Sequence, residues 1–106
     1  MTEISAEALK NKLDNGDQLT VVDVREPHEA YISDPNIDKI SIPFDELTDR
    51  IDELDKNDTI VCICRSGNTS ADACKLLEKH DFKNTQSLSG GINEWAKKID
   101  PSLPVY

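Results

Sequence analysis

The chain has 106 residues, enough for one domain with one core, so we expect a single domain spanning residues 1–106. Its 12 basic and 21 acidic residues give a formal net charge of −9, which disfavours binding to nucleic acid or to an anionic membrane surface. No apolar run is long enough to cross a bilayer, and no signal-like stretch opens the sequence. These features predict a cytoplasmic protein.

The predicted elements alternate along the chain. Ser5 has the features of an N-cap for a helix ending near Leu13. Predicted strands follow at 19–22, 40–42, 59–63 and 85–88, and predicted helices at 27–32, 45–54, from the loop after Cys64 to about His80, and 92–98. Strands separated by helical stretches indicate parallel βαβ units, so the predicted class is α/β.

Ligands bind beyond the carboxyl ends of the strands in sheets of this kind. Two predicted strand ends carry chemically active residues, one at 23–25 and the other at 64–70. The architecture alone therefore predicts a site that combines these two segments.

Cys64 ends the most apolar predicted strand and precedes a predicted helix. The short, polar or glycine residues that follow it allow the backbone to curl, so that N–H groups point at the sulfur and the helix N-terminus adds a positive dipole. Such an environment favours a thiolate, the nucleophilic form of cysteine. The alternative is that Cys64 is a small buried hydrophobe.

Three segments together resemble a single-domain, rhodanese-like sulfurtransferase. They are Asp-Val-Arg-Glu at 23–26, Cys-Arg-Ser-Gly-Asn-Thr-Ser at 64–70, and Leu-Ser-Gly-Gly-Ile-Asn-Glu-Trp at 88–95. The resemblance implies a five-stranded parallel sheet with helices on both faces. It also implies that Cys64 takes up a sulfane sulfur as a persulfide and passes it to a nucleophilic acceptor.

The same resemblance assigns the surrounding residues. The persulfide-binding loop would be Arg65, Ser66, Gly67, Asn68, Thr69 and Ser70, supported by Asp23, Arg25, Gly90 and Gly91. Asp23 is expected to cap loop N–H groups and orient the loop around Cys64, and Arg25 to tie down the loop after its strand by an ion pair. Gly67 is expected at a positive φ or a close approach. Gly90 and Gly91 would let another loop approach the site, and Trp95 would anchor the core.

Two positions depart from family members that use thiosulfate well. Those members commonly carry cations where this chain has Ser66 and Glu29. A hydroxyl and a carboxylate in an acidic domain attract a dianion poorly, so we expect a protein persulfide or polysulfide as sulfur donor rather than thiosulfate. The acceptor would be a thiol or a sulfur-carrier protein, and we expect no cofactor and no metal.

The segment from Trp95 to Tyr106 resembles the closing segment of rhodanese domains fused to adenylyltransferases that activate ubiquitin-like sulfur carriers. If so, the chain is the sulfur-transfer domain of such a fusion, and its acceptor is an acyl-adenylated C-terminal glycine.

Three further interpretations compete. A Cys-dependent phosphatase or arsenate reductase would place Arg six residues after the Cys, where this chain has Ser70. A metal site from Cys62, Cys64, Cys74 and His80 lacks the usual paired spacing, so Cys62 and Cys74 are expected in the core and His80 near a helix end. A protein-binding module of the same fold often lacks the Cys that this chain keeps. His28 is expected to be exposed.

Overall fold

A computed structural model describes residues 1–106. Its five strands are β1 (Thr2–Ile4), β2 (Thr20–Asp23), β3 (Ile40–Ser41), β4 (Ile60–Ile63) and β5 (Thr85–Leu88). Its four α-helices are α1 (Ala6–Asp14), α2 (Pro27–Ala30), α3 (Asn68–Lys79) and α4 (Gly91–Lys98). None of these helices combines the length and the apolar character that crossing a membrane requires.

All strand pairs are parallel, and the spatial order is β1-β5-β4-β2-β3. The predicted α/β class and the five-stranded parallel sheet are confirmed. Strand β4 lies at the centre and is buried along its whole length, as its continuous apolar sequence predicts. Asp23 pairs with Ile63, so β2 and β4 end side by side at the carboxyl edge of the sheet.

The alternation of side chains along the strands divides the core into two clusters, one on each face. On one face Val22, Cys62 and Cys64 pack with Cys74 and Leu77 of α3. On the other face, Val61 and Ile63 of the sheet pack with residues of α1 and α4, including Leu9, Ile92 and Trp95. Helices therefore cover both faces, and Trp95 is the core anchor that was expected.

The predicted helix at 45–54 is wrong. The segment contains two short 3-10 helices, Phe44–Glu46 and Ile51–Glu53, separated by a turn. Leu47 and Leu54 are buried, as the apolar spacing suggested, but Thr48 and the aspartates around it are weak helix formers. Most backbone N–H groups in this segment donate to the carbonyl three residues earlier, as in a 3-10 helix, rather than four residues earlier, as in an α-helix.

Two smaller differences concern the length of one helix and the presence of one strand. The helix expected through Ile32 ends at Ala30, and the short strand β1 was not among the elements predicted from periodicity. Strand β1 has three residues at the sheet edge, of which only Ile4 is buried, so it carries no recognisable alternation. The N-cap was predicted correctly: Ser5 Oγ accepts a hydrogen bond from the Ala8 N–H at 3.0 Å.

Candidate active site

Cys64 lies immediately after β4, at the floor of a cleft of about 410 Å³ on the carboxyl edge of the sheet. The side chain is 4% exposed, so the sulfur is mostly covered yet borders the cleft. The loop after Cys64, the loop after Asp23 and the segment at Phe44 and Asp45 form the walls. The structure thus brings together the two strand ends that the sequence analysis had combined.

Two main-chain amides donate hydrogen bonds to the Cys64 sulfur. The Gly67 N–H lies 3.1 Å from Sγ, and the Ser70 N–H, in the first turn of α3, lies 3.2 Å from it. Gly67 makes this curl possible because its φ is +103°, a value that other residues rarely adopt. N–H donors and a helix N-terminus both favour an anionic sulfur over a neutral thiol.

Buried hydroxyl groups continue this network beneath the sulfur. Ser70 Oγ lies 3.4 Å from Cys64 Sγ and 2.7 Å from Ser87 Oγ. Ser70 also donates to the Gly67 carbonyl at 3.2 Å. Ser87 was not among the residues predicted for the site. The signal that could have identified Ser87 was its polar side chain at an inward position of a short strand, two residues before Ser-Gly-Gly.

The loop before α4 approaches the Cys64 loop closely. The Ile92 N–H donates to the Cys64 carbonyl at 2.8 Å, and the Asn93 N–H donates to the Arg65 carbonyl at 3.1 Å. A Cβ on Gly91 would collide with the carbonyls of Cys64 and Arg65, and its φ is +62°. The geometry gives Gly91 the role expected of it, a close backbone approach.

Asp23 and Arg25 form a buried ion pair at 2.8 Å. Asp23 accepts from the Arg25 N–H and guanidinium and lies 3.4 Å from Lys39 Nζ. Asp23 thus caps one loop N–H group, that of Arg25, but the expectation that it orients the loop around Cys64 is corrected: its carboxylate is taken up by Arg25 and Lys39 instead.

Arg25 holds the loop that follows its strand through hydrogen bonds, whereas the ion pair expected to tie down that loop is made with Asp23 of its own strand. Its Nη1 donates to the Ser33 carbonyl at 2.7 Å and to the Tyr106 hydroxyl at 3.1 Å. Burial alone would lower the pKa of Arg25, but the hydrogen bonds with Asp23 and Tyr106 outweigh burial and raise it. The Arg25 guanidinium is therefore held by partners within the fold and is not an unpaired cation.

Tyr106 joins the site from the end of the described chain. The Arg65 guanidinium carbon lies 5.3 Å from the centroid of its ring. Asn93 Oδ1 accepts from the Tyr106 N–H at 2.9 Å. Tyr106 was predicted only as part of the closing segment from Trp95 to Tyr106, and not as a residue of the site.

The remaining loop residues and the acidic residues surround the cleft opening. Arg65, Ser66, Asn68 and Thr69 are exposed and line the cleft, together with Glu26, Glu29 and Asp45. Arg25 is paired with Asp23, so three carboxylates face a single unpaired cation, Arg65. Gly90 has a φ of +73° and precedes α4, outside the cleft lining.

Cys62 and Cys74 lie in the core below the site and are fully buried. A hydrogen bond with Cys74 and burial raise the pKa of Cys62 well above its usual value, so this thiol stays protonated.

His80 Nδ1 lies 3.0 Å from the Leu76 carbonyl near the end of α3. No group of three or more His, Cys, Asp or Glu side chains has the geometry to hold a metal ion. His28 is exposed and lies outside the cleft lining.

The sequence model of the Rhodanese-like domain matches residues 5–98 of the chain. YrkF of Bacillus subtilis (strain 168), named as a candidate sulfur carrier protein, is 38% identical over 101 residues, covering 92% of this chain and 52% of YrkF. YtwF of the same organism, named as a candidate sulfurtransferase, is 35% identical over 100 residues, covering 93% of this chain and 94% of YtwF.

A third relative is larger. The adenylyltransferase and sulfurtransferase MOCS3-2 of Zea mays is 29% identical over 110 residues, covering 97% of this chain and 23% of that protein. The chain thus spans about half of YrkF and a quarter of MOCS3-2, but nearly all of YtwF.

Solved structures agree in fold. A rhodanese-related protein from Thermoplasma volcanium superposes with a TM-score of 0.80 at 31% identity, covering 100% of this chain and 98% of that one. A rhodanese-like domain protein from Staphylococcus aureus gives a TM-score of 0.82 at 29% identity, covering 100% and 99%.

Proposed function

The chain belongs to the rhodanese-like domain family, and from this membership we propose that it is a sulfurtransferase that carries sulfane sulfur as a persulfide on Cys64. The observation that carries the proposal is the pair of amides, from Gly67 and Ser70, that donate to the Cys64 sulfur at the floor of an open cleft. Relatives named as sulfurtransferases and sulfur carriers support it.

The reaction is a double displacement in which sulfur moves without a net redox change. The Cys64 thiolate attacks the sulfane sulfur of the donor, the S–S bond of the donor breaks, and the donor leaves as a thiolate. The new Cys64 persulfide is then attacked at its outer sulfur by the thiolate of the acceptor, and the Cys64 thiolate is released.

The amides act at both steps because Cys64 Sγ is an anion before the first transfer and becomes one again as the leaving group of the second. Hydrogen bonds to a charged group contribute about 1.5–3 kcal/mol each, more than those to a neutral one. The donors are held by the backbone and are already aligned before the sulfur becomes charged.

The charge of the cleft favours a persulfide over thiosulfate as sulfur donor. Glu26, Glu29 and Asp45 line the cleft and oppose the entry of a dianion, whereas Arg65 is the single unpaired cation there. A persulfide that brings one negative charge meets less repulsion than thiosulfate, which brings two.

Mass spectrometry tests the proposal directly. After incubation with glutathione persulfide we expect an adduct of one sulfur atom on the Cys64 peptide, lost on addition of an acceptor thiol. Cys64→Ala must abolish the adduct, and Cys74→Ala, at a buried cysteine outside the cleft, must keep it. Absence of the adduct with glutathione persulfide, polysulfide and thiosulfate would overturn the proposal in favour of a protein-binding module.

A second candidate function is favoured by the match to MOCS3-2, which extends over 97% of this chain. In that case the outer sulfur of the Cys64 persulfide attacks the acyl-adenylated C-terminal glycine of a sulfur-carrier protein, AMP leaves, and an acyl disulfide to Cys64 forms. A thiol then attacks Cys64 Sγ, the S–S bond breaks, the carrier leaves as a thiocarboxylate, and Cys64 is left in a disulfide with that thiol. Incubation of the persulfidated protein with such an adenylated carrier and a thiol therefore yields a carrier thiocarboxylate, and Cys64→Ala does not. If the persulfide forms but only small thiols accept its sulfur, the general sulfurtransferase remains.

A further inference from the structure

Tyr106 contacts three segments that follow strands of the sheet. Its hydroxyl accepts from Arg25 Nη1 at 3.1 Å, in the segment after β2. Its ring lies under the guanidinium of Arg65, in the loop after β4. Its backbone is fixed by Asn93 of α4, whose amide side chain accepts from the Tyr106 N–H at 2.9 Å and donates to the Tyr106 carbonyl at 3.3 Å.

These contacts restrain Arg65 at both ends. The Asn93 N–H holds the Arg65 carbonyl at 3.1 Å, and the Tyr106 ring holds the guanidinium. An exposed arginine without such contacts samples many rotamers in solvent. Here the side chain is kept among the residues that line the Cys64 cleft.

The stacked arrangement leaves the charge of Arg65 available to a ligand. Arg65 makes no salt bridge, whereas Arg25 is neutralised by Asp23. Stacking uses the face of the guanidinium and leaves the N–H groups in its plane free to donate. An aromatic ring therefore positions this cation without competing for it.

We propose that Tyr106 is a positioning residue that holds Arg65 at the mouth of the cleft and thereby raises the reactivity of Cys64 toward anionic reagents relative to neutral ones. The inference rests on the proposed function, because it assigns to that site the recognition of a negatively charged sulfur donor. Tyr106 itself lies behind Arg65, outside the cleft lining.

Alkylation of Cys64 measures this selectivity without requiring sulfur transfer. Iodoacetate and iodoacetamide are similar in size, but only the first is an anion. We define the charge ratio as the rate constant for iodoacetate divided by that for iodoacetamide, both followed on the Cys64 peptide. We expect Tyr106→Leu to lower the ratio about threefold to fivefold, the range that an exposed cation–π contact supports, and Arg65→Gln, which removes the charge itself, to lower it at least as much.

Four further variants separate positioning from structural damage. The double variant should lower the ratio no further than Arg65→Gln alone, because both changes remove the same interaction. Tyr106→Phe should restore most of the ratio, since the ring is kept. Tyr31→Leu, at the other tyrosine and 92% exposed, is the control and should leave the ratio unchanged. Asn93→Ala keeps the Tyr106 ring but removes the side chain that holds the Tyr106 backbone, so it should also lower the ratio. It serves as the test of positioning in case Tyr106→Leu does not fold.

The proposal is overturned if Tyr106→Leu and Asn93→Ala fold and keep the wild-type charge ratio, or if the effects of Arg65→Gln and Tyr106→Leu add. A lowered ratio together with a normal sulfur adduct supports both the inference and the proposed function. A lowered charge ratio without any sulfur adduct on Cys64 supports the positioning of Arg65 and contradicts the proposed sulfurtransferase function.

Discussion

Ser70 Oγ and Ser87 Oγ lie 2.7 Å apart beneath the Cys64 sulfur, in a region closed to solvent. Ser70 can donate one proton only, and three acceptors surround it: the sulfur, the Gly67 carbonyl and Ser87. When Ser87 donates to Ser70, the Ser70 proton is free to turn toward an anionic sulfur. The pair therefore adapts to the charge of Cys64.

Replacing Ser87 by Ala should remove that adaptation. We expect a loss of about 1 kcal/mol in the free energy of unfolding, the usual value for one buried hydrogen bond. We also expect slower alkylation of Cys64 by iodoacetamide at fixed pH, because a Ser87 hydroxyl that donates to Ser70 strengthens the hydrogen bond between Ser70 and the sulfur. Urea denaturation and alkylation rates measure both effects. Ser41→Ala, at an exposed strand position, is the control, and a Ser87→Ala variant that behaves like this control would contradict the prediction.

Gly91→Ala tests the close approach of α4 to the site. The added Cβ meets two backbone carbonyls and the positive φ is unfavourable for alanine, so the variant should lose about 3 kcal/mol of unfolding free energy. Gly16→Ala is the matched control, because Gly16 also has a positive φ, of +73°, but open space around it. It should lose about 1 kcal/mol from backbone strain alone. Equal losses in the two variants would show that the contact with the Cys64 loop is unimportant.

The sequence predicted the central features of the fold because they follow from local patterns. Strand β4 is a continuous apolar run, Ser5 has the chemistry of an N-cap, and Cys64 precedes a loop that can curl. The role of Asp23 was harder to predict, because both the nearby Arg25 side chain and the N–H groups of the Cys64 loop could donate to it, and only the three-dimensional structure decides between them. Tyr106 and Arg25 are 81 positions apart in the sequence. Nothing in local composition indicates such a contact.

Asp23→Asn should destabilise the protein strongly. The change leaves the buried Arg25 guanidinium without its counter-ion, and breaking one side of a buried ion pair typically costs about 3–5 kcal/mol. Glu53→Gln is the control, because it removes one partner of the solvent-exposed pair with Arg50 and should have a far smaller effect. Chemical denaturation of both variants gives the comparison. A small loss for Asp23→Asn would contradict the prediction and would indicate that water and the Ser33 carbonyl are sufficient partners for the Arg25 guanidinium.

Tyr106 should also give the protein a distinctive alkaline stability profile. Burial raises the pKa of Tyr106 above its usual value of 10.0, so the folded state holds this proton more tightly than the unfolded state. The resulting stabilisation is complete below pH 10 and is lost as pH rises through the higher folded pKa. The free energy of unfolding should therefore fall less steeply above pH 10 in Tyr106→Phe than in the wild type. Parallel curves for the two proteins, measured by urea denaturation, would rule this out.

Glu29→Gln should improve the use of thiosulfate. The residue lines the cleft, and its carboxylate opposes a dianion approaching Cys64. Glutamine keeps the acceptor for the Glu26 N–H, now 3.1 Å from Glu29 Oε2, so the local fold should be retained. We expect kcat/KM for thiosulfate to rise about threefold to tenfold at low salt and the gain to shrink at high salt, because screening weakens the repulsion that the variant removes. Glu3→Gln, on the edge strand β1 and outside the cleft, changes the net charge equally and should give no such gain. If both variants respond alike, net charge rather than the cleft controls donor choice.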